Sequence, residues 1–138
     1  MRANAALRWL DVIVYLAFVA FVAVSGVRTT LWVVGLCLSA VAAVPWFVAR
    51  WQLGASFSVR PEARRLVTSG LYSKLRHPVY VFGSLSWFGA VMALVGWQAV
   101  IIWLVVVPIQ IVRARREERL LAETFGTEFA AYRESSWF

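Results

Sequence analysis

Tyr72, Arg76, His77 and Tyr80 fall within nine residues, in the string Gly70-Leu-Tyr-Ser-Lys-Leu-Arg-His-Pro-Val-Tyr80, immediately before a long uncharged run. An imidazole can exchange a proton near neutral pH, a guanidinium can grip an anion with two parallel donors, and a phenol joins an aromatic face to a hydroxyl. Pro78 suits the first turn of a helix, where its missing N–H costs little, so His77 is expected at the N-cap, beside unpaired backbone donors that attract anions. The second such string, Arg113-Ala-Arg-Arg-Glu-Glu-Arg-Leu120, follows the uncharged run. Its spacing puts Arg113 and Glu117 four apart on one helical face, with Glu118 next to them. Both charge signs beside an apolar slot can hold a zwitterionic ligand next to an amphiphilic one. Taken singly, each residue has a plainer role: Arg76 and Lys74 as topology-setting cations, Tyr80 as an interfacial aromatic, His77 as a satisfied polar group, and the Glu pair as part of a solvated, ion-paired helix.

The two strings meet only if the segment between them folds back. Residues 78 to 112 carry no charge, and as one helix these 35 residues would measure about 52 Å against a bilayer core of about 30 Å. A turn at Gly96-Trp97-Gln98 therefore divides the run into Val79 to Val95 and Trp97 to Val112, packed as a helical hairpin, and Gly83, Ser84, Ser86, Gly89 and Ala93 suit close helix contact. That brings Arg76-His77 and Arg113-Glu117-Glu118 out on the same side. Two further uncharged runs precede the hairpin, Val12 to Val27 and Thr29 to Ala49, the second containing Pro45. The expected fold is all-α and polytopic, with four transmembrane helices. Residues 1–50 form the first two, and residues 51–138 form a core of cytoplasmic loop, hairpin 78–112 and cytoplasmic C-terminal helices. Gly126 is expected to stop a helix and Thr127 to cap a short final one, which carries Phe125, Phe129, Tyr132, Trp137 and Phe138 as an aromatic, amphipathic tail at the membrane interface.

Composition points the same way. The chain is 62% hydrophobic and only 15% charged, with mean hydropathy +0.72, too apolar for an average soluble domain. Of 14 Lys and Arg, only Arg28 lies in the first loop and none at the hairpin tip; the other thirteen share one side, which the positive-inside rule assigns to the cytoplasm with both termini. A net charge of +7 divided among apolar blocks suits anionic lipid headgroups better than nucleic acid. The single cysteine, Cys37, lies in an apolar run and supports neither a disulfide framework nor a thiolate cluster. The first apolar block lacks a small-residue cleavage site followed by a soluble domain and is expected to be retained as a span.

The combination G-x-Y-x-x-x-R-H-P-x-Y at Gly70 to Tyr80, an uncharged hairpin, then E-E-x-x-L from Glu117 and F-G-x-x-F-x-x-Y from Phe125 to Tyr132 resembles the isoprenylcysteine carboxyl methyltransferase family, which is related to phospholipid N-methyltransferases. The resemblance covers about residues 54 to 132, including Gly54-Ala-Ser-Phe-Ser and Leu66-Val-Thr-Ser-Gly70; Phe82 stands where members commonly have glycine, with Gly83 one later. It implies a membrane enzyme that binds S-adenosylmethionine with its C-terminal half and needs no metal. Tyr72, Arg76, His77, Pro78, Tyr80, Glu117 and Glu118 would enclose the cofactor, and Arg113 and Glu117 would serve the acceptor. A lipophilic, prenylated or lipid-like acceptor is implied, with carboxyl O-methylation ahead of phospholipid or amine N-methylation. A non-catalytic scaffold or lipid-binding protein has no need of polar groups at the hairpin mouth, and a transporter would need an ionisable residue at mid-span.

Overall fold

The computed structural model describes residues 3–25, 28–54 and 66–137, with side chains from Trp9 onward. Among them the chain is helical: α1 (Ala3–Val24), α2 (Thr30–Leu53), a 3-10 turn Gly70–Ser73, α3 (Pro78–Val95), a second 3-10 turn Gly96–Gln98, and α4 (Ala99–Ser135). The loop cations Arg60, Arg64 and Arg65, the stretch 55–58 of the resemblance, and Phe138 lie outside the described residues.

Each boundary has a local cause. Thr29 caps α2 rather than opening it, its Oγ1 accepting from the Trp32 N–H at 3.1 Å. His77 is the N-cap of α3 and Pro78 its first residue. Gly96, at φ 69°, turns the chain where the uncharged run had to fold back. Gly126, at φ 48° and ψ −114°, breaks α4 in a conformation that only glycine adopts easily, so the expected stop is there, but helix resumes at once.

The hairpin is antiparallel and in register along its length. Phe88 meets Trp103 at 5.2 Å between ring centroids, Gln110 reaches Ser84 at 3.5 Å, Arg113 lies over Tyr80 at 5.7 Å, and His77 meets Glu118. The tightest packing is between α2 and α3, and small residues make it possible. A Cβ on Gly35 would stand 2.5 Å from the Gly89 carbonyl, and one on Gly89 2.5 Å from the Ser39 nitrogen, so the two backbones touch directly. α1 closes this pair through Tyr15, whose hydroxyl meets Ser39 Oγ and accepts from Ser86 Oγ, each at 2.6 Å. Around that buried polar knot, Tyr15 packs edge-on against Trp46 and Trp87 at 5.1 and 5.3 Å.

By length and composition, two stretches are apolar enough to cross a membrane: Thr30–Leu53 and, counted through the 96–98 turn, Pro78–Ser135; the apolar part of α1, Trp9–Val24, is shorter. Their outer faces expose Val41, Val44, Ile101, Leu104, Val105 and Ile109. For a chain with this composition, lipid is the solvent that such faces match.

Candidate functional site

The site grows from the segment between Gly70 and His77, which three other parts of the chain hold in place. From α2, the Gln52 side-chain oxygen accepts the Leu71 N–H at 2.9 Å. From the end of α4, the Tyr132 hydroxyl donates to the Tyr72 carbonyl at 2.6 Å. Beyond it, Trp137 and Leu75 form a short parallel bridge, the Trp137 N–H donating to the Lys74 carbonyl at 2.6 Å and the Arg76 N–H to the Trp137 carbonyl at 3.1 Å.

This held loop presents Arg76 and His77 to α4. His77 Nε2 and Arg76 Nε each stand 3.1 Å from the same oxygen, Glu118 Oε1. Because a carboxylate only accepts, His77 donates through Nε2–H. Arg76 Nε is buried and sits at ion-pair distance without the alignment of a hydrogen bond, while its Nη1 reaches the Arg133 carbonyl at 3.5 Å. Adjacent residues on a helix point about 100° apart, so Glu117 faces another neighbourhood. It lies within hydrogen-bonding reach of the Tyr80 hydroxyl and close to Tyr72. Arg113, one turn earlier, covers the Tyr80 ring. The His77 and Tyr80 rings are 5.7 Å apart, and Pro78 is fully buried. All eight expected site residues, Tyr72, Arg76, His77, Pro78, Tyr80, Arg113, Glu117 and Glu118, therefore gather at one end of the hairpin.

Tyr72 and Tyr132 are neutral donors throughout the physiological range. Burial, and after it the Glu117 carboxylate, pushes the Tyr72 phenol far above its ordinary value, and burial raises that of Tyr132. Tyr132 and Phe129 are 8% and 3% exposed, so the expected interfacial aromatic tail is corrected: two of its members are buried, Tyr132 against the loop and Phe129 beside Tyr132, and Trp137 is exposed. The inward turn follows from Gly126, which redirects the last stretch of helix back onto residues 72–77. Tyr132→Phe is expected to strand the buried Tyr72 carbonyl and cost about 1–2 kcal/mol of stability, read as a lowered unfolding temperature in detergent.

Sequence reasoning missed a second charged pair. Arg50, almost fully buried, grips Asp11 with both Nη atoms at 2.6 and 2.5 Å and stacks on Trp9 at 5.3 Å. The signal for this pair in the sequence is Asp11, a lone carboxylate at the border of an apolar block, which demands a partner. The pair ties α1 to the end of α2 that carries Gln52, and Arg50 acts electrostatically on Tyr72. The first two helices are thus built into the site as well as anchoring it.

An open cleft of about 580 Å³ adjoins the cluster, lined by Arg76, Ala122, Gly126, Phe129, Arg133 and Ser136 among others, within the size range of small-molecule sites. Its chemistry suits a zwitterion with a cationic centre. Arg76, in its lining, has an incompletely used guanidinium for a carboxylate, and Glu134, also in the lining, and Glu118, paired with Arg76, can accept from an ammonium or hydroxyls; the Tyr80 ring already carries the Arg113 guanidinium and Tyr72 is buried. These residues fit the polar groups of S-adenosylmethionine.

Compared with known families, residues 27–128 match the model of the phospholipid methyltransferase family, a span that takes in α2, the loop, the hairpin and both glutamates. No curated protein and no solved structure matches the chain.

Proposed function

The chain belongs to the phospholipid methyltransferase family, and we propose that it moves a methyl group from S-adenosylmethionine to the amine of a lipid-like acceptor at the end of the α3–α4 hairpin where the charged residues gather. It is a membrane methyltransferase by family. The reading of the site rests on one observation above the others: Glu117 and Glu118 divide, one facing Tyr80 and Arg113 beside the apolar hairpin, the other facing Arg76 and His77 beside the cleft. Two ligands of different polarity need two such faces.

In this reading Arg76, His77, Glu118, Tyr72 and Tyr80 hold the cofactor, which supplies an electrophilic methyl on a sulfonium. Arg113 and Glu117 serve the acceptor. An amine must be neutral to attack, and Glu117 is placed to take its proton; the chain's other contribution is to hold the reacting groups in line and keep water out. Carboxyl O-methylation is the second reading, favoured by Arg113 at the same spot, where a guanidinium would orient a carboxylate. We put the amine first because the family match supports it at least as well and because Glu117 would repel a carboxylate. For topology we propose four crossings, with α1 as the first and the charged end cytoplasmic, supported by the apolar outer faces and the one-sided cations.

The deciding experiment supplies methyl-tritiated S-adenosylmethionine to the purified protein in nanodiscs that contain, in separate arms, phosphatidylethanolamine and a lipophilic carboxylic acid. Label that partitions into organic solvent and survives mild base is expected; base-labile label released as methanol would move the assignment to a carboxyl ester, and absence of transfer to any lipid would remove the reading.

A further inference from the structure

We propose that Trp137 is a positioning residue for the Arg76–His77–Glu118 cluster, acting through its backbone and not its indole. Four observations carry this. The indole is 76% exposed, so the side chain contributes little packing. The backbone N–H and carbonyl of Trp137 meet the Lys74 carbonyl and the Arg76 N–H, the two groups that flank Leu75 one step before His77. The strap is fixed from behind, since Ser136 is buried with its Oγ on the Tyr132 carbonyl at 2.7 Å while the Tyr132 hydroxyl holds Tyr72. Finally, within the loop the last local backbone bond is Leu75 N–H to Leu71 at 3.1 Å, and the Arg76 amide turns to Trp137 instead.

The physical consequence concerns order in the loop. A residue left without local bonds gives up conformational entropy when it is held in one geometry. Here that ordering is done in advance by the strap, so Arg76 and His77 already face Glu118 before any ligand arrives. Arg76 and Ser136 also line the same cleft, so the strap sets its width.

The test separates backbone from side chain and rests on the cofactor reading only for one of its two readouts. Ser136 is extended, at φ −122° and ψ 151°, which is the conformation a residue before proline prefers, so Trp137→Pro removes the N–H with little strain upstream. Trp137→Ala keeps both backbone groups. S-adenosylhomocysteine binding by calorimetry in the full-length protein is expected to weaken about tenfold in Trp137→Pro and less than about twofold in Trp137→Ala, the scale of one or two lost hydrogen bonds. Amide exchange at residues 74–77 is expected to quicken in Trp137→Pro alone, with α2 and α3 unchanged. Unaltered binding in Trp137→Pro, or equal loss in Trp137→Ala, overturns the proposal. A wild-type protein that fails to bind the ligand would defeat the cofactor reading, while unchanged exchange at 74–77 in Trp137→Pro would still overturn the strap. If proline disturbs exchange throughout, an amide-to-ester replacement at Trp137, which removes the N–H alone and keeps the indole, replaces it; an unchanged 74–77 segment there overturns the strap equally.

Discussion

Glu118→Ala is expected to weaken S-adenosylhomocysteine binding by on the order of 30- to 100-fold. One carboxylate oxygen accepts from His77 Nε2 and stands at ion-pair distance from Arg76 Nε, each at 3.1 Å, and the two side chains are 10% and 17% exposed. Charge-assisted contacts of this kind contribute about 1.5–3 kcal/mol each, partly screened here because Glu118 retains some exposure. Removing the carboxylate both frees the donors to splay and leaves them poorly solvated, so a loss of about 2–3 kcal/mol is the reasonable scale. Glu118→Gln keeps an acceptor for His77 without the charge and is expected to fall between alanine and wild type. Glu117→Gln is expected to behave differently: near-normal ligand affinity with turnover reduced by on the order of 100-fold, the range of a lost general base. Calorimetry with the three variants, followed by turnover for those that still bind, checks the division of roles. Equal behaviour of Glu117 and Glu118 variants would show that the two carboxylates do not serve separate ligands.

Gly89→Val is expected to do the greatest harm to the fold. Its Cβ would stand 2.6 Å from the Gly35 carbonyl and 2.5 Å from the Ser39 nitrogen, both backbone atoms that no rotamer change can move. α2 and α3 would have to separate, which pulls apart the Tyr15–Ser39–Ser86 hydrogen bonds and the packing of Trp46 on Tyr15. Overpacking a well-filled core costs about 1–3 kcal/mol where side chains can yield; with backbone on both sides the expected cost is at or above about 3 kcal/mol. Chromatography of a fluorescent fusion should show loss of the monodisperse peak, while Val41→Leu, on the exposed outer face of α2, should leave it intact. The site would be lost with the fold, because Gln52 at the end of α2 holds the loop that presents Arg76 and His77.

What was legible in the sequence is whatever depends on neighbours along the chain. An uncharged run too long for one crossing has to reverse, and Gly96 is where it does; Pro78 makes His77 an N-cap; Gly126 breaks α4. Reversal alone was enough to bring the Arg76-His77 string beside the Glu117-Glu118 string, while the roles of these residues toward a cofactor and an acceptor came from the family resemblance and not from spacing. Four things awaited the tertiary structure: that Glu118 takes Arg76 and His77 while Glu117 takes Tyr80, that Asp11 and Arg50 pair, that Tyr132 turns inward, and that Trp137 straps the loop. Each joins residues separated by 37 to 63 positions, counted from the residue numbers themselves. Such contacts depend on the rotation of α4 about its axis and on how closely α2 approaches α3, and those are set by glycines touching backbone to backbone, an outcome of packing that no local pattern encodes.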